Sequence, residues 1–114
     1  MNVKNIKAQD LKELLKTRDK IELIDVREPY EYDIIHITGS KLIPMGEIQD
    51  RVDEIDWTKE VIFICRSDAR SSVIAQFLAD NERNISNLRS GIYECYREGD
   101  CELEILQKEI LNYF

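Results

Sequence analysis

The sequence has few of the residues that metal sites and disulfide frameworks need. Its 114 residues include one histidine, His36, and three cysteines, no two of which form a C-x-x-C pair. So few soft ligands do not make a convincing zinc site, and the cysteines are odd in number. We therefore expect reduced thiols and no bound metal.

Long apolar runs and basic clusters are also missing. No run approaches the roughly 18 apolar residues that a membrane span needs, and the first seven residues lack the apolar core of a signal peptide. The net charge of −7 gives a surface that repels phosphate backbones. We expect a cytoplasmic protein that binds neither membranes nor nucleic acid.

Size and composition fit one folded domain over residues 1–114. Charged residues make up 34% of the chain and hydrophobic residues 43%, which is ordinary for a compact protein. A chain of this length buries about two-thirds of its unfolded surface without disulfides or metal. No linker or internal repeat divides it.

Strand and helix patterns alternate along the chain. The predicted strands are 3–6, 21–26, 41–43, 61–65 and 85–88. Helical periodicity is found over 8–17, after Pro29, over 46–55 and after residue 71. In the helix after residue 71, the apolar residues that share a face are Val73, Ile74, Phe77 and Leu78. A closing helix is predicted from Leu103, Ile105, Leu106, Ile110 and Leu111. Parallel strands need crossover connections, so this order predicts an α/β fold with a parallel sheet and helices on both faces.

Cys65 ends the most strongly apolar β-branched run of the chain. The residues that follow, before the next predicted helix, are Arg66, Ser67, Asp68, Ala69, Arg70 and Ser71. A thiol at this point faces unpaired N–H groups and the positive end of a helix dipole, and two arginines add positive charge. These groups favour a thiolate, so Cys65 is predicted to be a nucleophile.

Further charged residues are expected at the same edge of the sheet, where ligands bind in such folds. Asp25 and Arg27 end the strand 21–26 and are interpreted as braces. A cation such as Arg70 at a helix start needs an anionic partner, either a carboxylate from Asp25 or Glu31, or the substrate. Arg66 is either an ordinary exposed arginine or a contact for an incoming substrate.

Several segments together resemble the rhodanese family. They are the strand end Asp25-Val26-Arg27-Glu28, the turn His36-Ile37-Thr38-Gly39, the stretch Ile43-Pro44-Met45-Gly46-Glu47, the loop from Cys65 to Ser71, and Leu88-Arg89-Ser90-Gly91-Ile92. Each motif is weak alone, but the combination is specific and covers nearly the whole chain. It looks most like single-domain rhodaneses and the rhodanese modules of sulfur-carrier activating enzymes.

The resemblance implies a five-stranded parallel α/β domain and a sulfurtransferase activity. Cys65 would take a sulfur atom from thiosulfate or a protein persulfide and pass it to a nucleophilic acceptor, a thiol or a sulfur carrier, without metal or organic cofactor. It also implies supporting roles for Asp25 and Arg27 and a structural role for His36.

Asp68 and Cys95 depart from the family pattern. Asp68 replaces a glycine, so we expect a left-handed backbone there and a negative charge that repels thiosulfate, which favours a protein persulfide as donor. Cys95 replaces a tryptophan and either fills apolar space, which we favour, or acts as a resolving thiol. Cys101 is predicted to lie in an exposed turn.

Two other functions remain open. The fold and a cysteine-loop-arginine arrangement also occur in phosphatases and arsenate reductases, but related phosphatases have five residues between cysteine and arginine, whereas Cys65 and Arg70 enclose four. Alternatively the protein is a non-catalytic rhodanese-like binding module, an interpretation that Asp68 keeps open and that the retained Cys65 opposes.

Overall fold

The computed structural model describes residues 3–99, 101–107 and 110–114. The strands are β1 (Val3–Ile6), β2 (Ile21–Asp25), β3 (Ile35–Ile37), β4 (Lys41–Leu42), β5 (Glu60–Ile64), β6 (Ile85–Leu88) and β7 (Leu103–Ile105). The α-helices are α1 (Ala8–Leu14), α2 (Pro29–Tyr32), α3 (Ala69–Leu78), α4 (Gly91–Glu98) and α5 (Ile110–Tyr113). Three 3₁₀ helices span Leu15–Lys20, Met45–Asp50 and Val52–Glu54.

A five-stranded sheet in the order β1-β6-β5-β2-β4 forms the centre of the molecule, and all of its pairings are parallel. Alternate residues of β5 enter different cores: Ile62 and Ile64 pack with α1 and α4, whereas Val61 and Phe63 pack with α3. Helices therefore cover both faces, which confirms the predicted α/β fold. Within the described part of the chain, no helix is long and apolar enough to cross a membrane.

The predicted helix over 46–55 is replaced by two 3₁₀ helices. Pro44 precedes the first of them, Met45–Asp50, and Arg51 interrupts the helical path with φ −124° and ψ 15°. The apolar spacing that suggested a helix still buries Ile48 and Ile55. Tight turns with the same facing residues can produce this spacing without an α-helix.

The predicted helical face after Cys65 is only partly correct. Ile74 and Leu78 are buried, but Val73 and Phe77 are 55% and 60% exposed. In addition, α3 begins at Ala69, so residues 69–71 form its first turn instead of a loop. The connection after β5 is therefore shorter than the sequence suggested.

The predicted closing helix is wrong over 103–105. These residues form β7, which pairs antiparallel with β3 in a separate two-stranded sheet. Among the described residues of the predicted closing helix, Ile110–Tyr113 is helical, and nothing is described of the Leu111 side chain. We call residues 101–107 and 110–114 the distal segment.

Cys95 and Cys101 form a disulfide that joins α4 to the start of the distal segment. Both residues are 0% exposed, so the predicted exposed turn at Cys101 is wrong. The expectation of reduced thiols is also wrong for this pair, and a bonded Cys95 is not a free resolving thiol. Sequence separation gave no sign that the chain returns to α4 after Gly99.

Candidate active site

Cys65 directly follows β5 and is 1% exposed. Two backbone N–H groups of α4 hold the adjoining chain: Ile92 donates to the Cys65 carbonyl at 3.0 Å and Tyr93 to the Arg66 carbonyl at 3.0 Å. Gly91 makes this approach possible, because a Cβ there would lie 2.5 Å from the Cys65 oxygen. Its φ of +56° is also a conformation suited to glycine.

A hydrogen-bonded group, which we call the Ser71 network, contacts the thiol. The Ser71 hydroxyl lies 3.2 Å from Cys65 Sγ and donates to Asn87 Oδ1 at 2.5 Å. Asn87 Nδ2 in turn donates to Asp68 Oδ1 at 2.7 Å and to Asn5 Oδ1 at 3.1 Å. The network thus joins α3, β6 and β1 to the cysteine.

The Ser71 hydroxyl has one proton to donate and several possible acceptors around it. A hydroxyl donates once and accepts up to twice, and Asn87 Oδ1 and the Asp68 carbonyl, 3.1 Å away, can only accept. A Cys65 thiol can donate to Ser71 Oγ while Ser71 donates to Asn87. A thiolate instead requires the Ser71 proton to turn toward sulfur, so the arrangement can accommodate both forms.

Asp68 does not adopt the left-handed conformation that we predicted. Its φ is 166°, which is extended backbone, and its ψ is −39°. The carboxylate accepts the hydrogen bond from Asn87 instead of capping α3. The neighbouring Ser67 and Ala69 side chains are exposed.

Arg70 pairs with Glu31, one of the two carboxylates considered for it. Its Nη1 and Nη2 donate to the two carboxylate oxygens at 2.6 and 2.9 Å. Burial raises the pKa of Glu31, but the hydrogen bonds from Arg70, the Glu28 backbone and Tyr113 outweigh this and lower the pKa to about 2. The hydrogen bond to Glu31 raises the pKa of Arg70, so the pair is fully charged near neutral pH.

Asp25 binds Arg27 instead of Arg70. The two side chains are fully buried and joined by bonds of 2.7 and 2.9 Å, and Arg27 also donates to the Ile35 carbonyl at 2.6 Å. Desolvation lowers the pKa of Arg27, but its bonds to Asp25 and Tyr113 produce a net rise. The pair connects β2 to β3, which is the geometry of a brace.

Arg66 is partly buried and is not the ordinary exposed arginine that was one of its two interpretations. Its Nε and Nη2 donate to the backbone oxygens of Tyr113 and Phe114 at 3.3 and 3.4 Å. The guanidinium also lies 5.7 Å from the centre of the Tyr113 ring. The sequence could not predict this contact because it joins positions 47 and 48 residues apart.

Tyr113 links the buried charges. Its hydroxyl accepts from Arg27 Nη1 at 3.1 Å and donates to Glu31 Oε2 at 2.7 Å. Burial and the bond to Glu31 raise the pKa of Tyr113 to about 12, although the bond from Arg27 acts in the opposite direction. The hydroxyl therefore stays protonated over the physiological range.

Both ring nitrogens of His36 contact acceptors. Nδ1 lies 2.9 Å from the Tyr32 carbonyl and Nε2 lies 2.8 Å from Glu104 of β7, while the ring stacks on Tyr32 at 3.8 Å. None of these contacts involves Cys65. The histidine attaches the distal segment to β3.

A pocket of about 580 Å³ opens beside the site. Its lining includes Glu31, Arg66, Arg70, Tyr30 and Tyr113. Both lining arginines are engaged by protein acceptors. A ligand that uses the same N–H groups must therefore displace these acceptors.

Three residues that shape the site were not predicted as site residues from the sequence. Asn87 is the last residue but one of β6, and Gly91 begins α4, so their position at and just after the end of a predicted strand was a usable signal, because parallel strands end at one edge. Nothing in the sequence indicated a role for Tyr113, because its contacts form only when the distal segment folds back onto the site.

The fold and the site define an α/β domain with a cysteine at the carboxyl end of a central parallel strand. The model of the rhodanese-like domain family matches residues 7–98, so the chain belongs to this family. The distal segment follows the last matched residue.

Relatives support this assignment. The protein is 34% identical over 92 residues to YtwF of Bacillus subtilis, covering 81% of this chain and 89% of the relative. It is 32% identical over 98 residues to a sulfurtransferase of Allochromatium vinosum, covering 85% of this chain and 92% of the relative. Two other B. subtilis relatives are longer, and the chain spans 58% and 40% of their lengths.

The structure is also similar to a solved family member. A rhodanese-related protein of Thermoplasma volcanium superimposes with a TM-score of 0.80 at 30% identity, covering 91% of this chain and 99% of that chain. The similarity in fold extends across most of the chain.

Proposed function

We propose that the protein carries sulfane sulfur as a persulfide on Cys65 and transfers it to a nucleophilic acceptor. The observation that carries this proposal is that Cys65 is the free cysteine and contacts the Ser71 network at the end of β5, whereas Cys95 and Cys101 are bonded to each other. Sulfurtransferase chemistry in a relative of similar length supports the same function.

The transfer has two displacement steps. After the thiol proton is lost to solvent, the Cys65 thiolate attacks the sulfane sulfur of a donor, and the donor's S–S bond breaks as its leaving group takes the electron pair. An acceptor thiolate then attacks the terminal sulfur of the persulfide, and Cys65 leaves as thiolate. Both steps conserve electrons without a cofactor.

A persulfide on a protein thiol fits this site better than thiosulfate as the donor. Arg70 is neutralised by Glu31, Arg66 is hydrogen-bonded to backbone oxygens, and the Asp68 carboxylate belongs to the network that contacts Cys65. Thiosulfate carries two negative charges and releases sulfite. It therefore requires cationic groups that this site already uses internally.

Intact-mass measurement after incubation with glutathione persulfide tests the proposal. We expect a gain of one sulfur atom that is removed by a thiol acceptor and is absent in Cys65→Ala. Ser40→Ala serves as a control, because the buried Ser40 hydroxyl donates to the Ile37 carbonyl, away from Cys65, and its loss should leave loading intact. If the wild-type protein gained sulfur from neither glutathione persulfide nor thiosulfate, the proposal would be contradicted.

The burial of Cys65, at 1% exposed, favours a second candidate, a non-catalytic binding module. The same experiment separates the two functions. A module would show unchanged mass with both donors, whereas a carrier gains sulfur at Cys65.

A further inference from the structure

The distal segment contacts the candidate active site through its last residues. The backbone oxygens of Tyr113 and Phe114 accept from Arg66, and the Tyr113 side chain lines the same pocket as Arg66 and Arg70. This segment lies outside residues 7–98, which the family model matches. Its contacts with the site are therefore not part of the matched domain.

The first half of the segment is firmly attached to the rest of the protein. β7 pairs with β3, Thr38 N–H donates to the Glu102 carbonyl at 2.9 Å, and Leu106 N–H donates to the Ile34 carbonyl at 2.8 Å. The disulfide holds its first residue to α4. These contacts provide a fixed base for the residues that reach Arg66.

The second half is held by Ile110, which is buried in the core, and by its two aromatic residues. Phe114 packs on Tyr96 and Tyr93, with ring centres 5.2 and 5.5 Å away, and Tyr113 is fixed by Arg27 and Glu31. The bonds from Arg66 to the two backbone oxygens, at 3.3 and 3.4 Å, are long for charge-assisted hydrogen bonds. A sulfur oxyanion must displace these bonds before it can accept from the same N–H groups.

We propose that the distal segment determines donor specificity by occupying Arg66, and so disfavours donors whose leaving group is a sulfur oxyanion. With thiosulfate, Cys65 attacks the sulfane sulfur and sulfite departs with the electron pair, so a cation is needed at the leaving group. Arg70 is bound by Glu31, which leaves Arg66 as the cation that the segment controls. A persulfide donor releases a thiolate and depends less on that cation. This inference rests on the proposed function.

The test compares loading of Cys65 by thiosulfate and by glutathione persulfide in a Tyr113→Ala/Phe114→Ala variant. We expect the ratio of the two loading rates, thiosulfate over persulfide, to rise about tenfold, the value of one charge-assisted hydrogen bond made available to the ligand. Adding Arg66→Ala should abolish the rise. Ile105→Ala, half exposed in the same segment and without a contact to Arg66, should leave the ratio unchanged.

Tyr113→Phe keeps the inference testable if the double variant does not fold. Removing only the hydroxyl loosens the segment from Arg27 and Glu31 and should raise the ratio about threefold. An unchanged or lower ratio in a folded variant overturns the specificity role of the segment. Absence of loading by both donors in the wild-type protein instead overturns the proposed function.

Discussion

The Ser71 network and the distal segment hold neighbouring parts of the chain after β5 in different ways. The network joins Ser71 and Asn87, which are 0% and 1% exposed, with a bond of 2.5 Å. The distal segment reaches the partly exposed Arg66 through bonds of 3.3 and 3.4 Å. Short bonds among buried groups resist displacement, whereas long bonds near solvent yield to a competing ligand.

This difference assigns separate tasks to the two regions. Cys65, Asp68, Ser71 and Asn87 of the network lie within the residues that the family model matches, and the network fixes the position of the sulfur. The distal segment lies outside those residues and, in our proposal, changes which ligands reach Arg66. Substitutions in the two regions should therefore affect loading and donor preference separately.

The largest expected effect comes from Gly91→Ala, which disrupts the packing of α4 against the backbone of Cys65 and Arg66. The new Cβ would lie 2.5 Å from the Cys65 carbonyl oxygen and 2.7 Å from two Arg66 backbone atoms. We expect a loss of about 3–5 kcal/mol in the free energy of unfolding, measured by denaturant titration, together with loss of sulfur loading.

Gly99→Ala is the matched control for that substitution. Gly99 has a similar φ of +69°, but a Cβ there would meet nothing within 4 Å. It should cost only about 1 kcal/mol and leave loading intact. Equal losses in the two variants would show that backbone conformation, and not the contact with the loop, makes Gly91 necessary.

A smaller effect is expected from Glu31→Gln, which unpairs Arg70 beside the distal segment. The loss should be about 2 kcal/mol at neutral pH, because Arg70 is one-third exposed and water partly compensates it. Since the pKa of Glu31 is lowered from 4.5 to about 2, its stabilisation is present above pH 4.5 and lost as the pH falls toward 2. The variant should lack this component of acid unfolding.

Glu47→Gln controls for the loss of an ordinary ion pair. Glu47 bonds to Arg51 at 3.0 Å but is 56% exposed, so the loss should stay within about 0.5 kcal/mol. If both variants showed the same acid-unfolding profile as the wild type, the assigned role of the Glu31–Arg70 pair would be wrong.

The smallest effect on stability is expected from Ser71→Ala, which removes the hydroxyl of the network. We expect a loss of about 1–2 kcal/mol and sulfur loading slowed about tenfold, measured by stopped-flow mixing and intact mass. Ser40→Ala should cost similar stability without slowing the loading. Normal loading in Ser71→Ala would separate the network from the chemistry of Cys65.

Much of the fold could be predicted because its signals are local. β5 is an apolar β-branched run, and alternating strands and helices require crossover connections between parallel strands. The short 3₁₀ helices could not be distinguished from an α-helix, since Ile48 and Ile55 fit both patterns. β7 was missed because Leu103 has helical spacing with Leu106 and Ile110, which follow it, and because its pairing partner lies far away in sequence.

The candidate site, like the fold, was predictable only where its signals are local. Cys65 and the nearby polar residues follow from their position after a buried strand, and Glu31 was one of two carboxylates considered for Arg70. Choosing between those carboxylates required knowledge that Asp25 is already bound by Arg27. Asn87 and Tyr113 became visible only when distant segments met.

The sequence by itself determined the parallel α/β architecture, the family and the position of the cysteine at a strand end, because these depend on local periodicity and motif order. Tertiary structure decided which cation binds which acceptor, that Cys95 and Cys101 meet, and that the distal segment occupies Arg66. The physical reason is that hydrogen bonds and ion pairs depend on distances between atoms remote in the chain, which only the folded backbone sets.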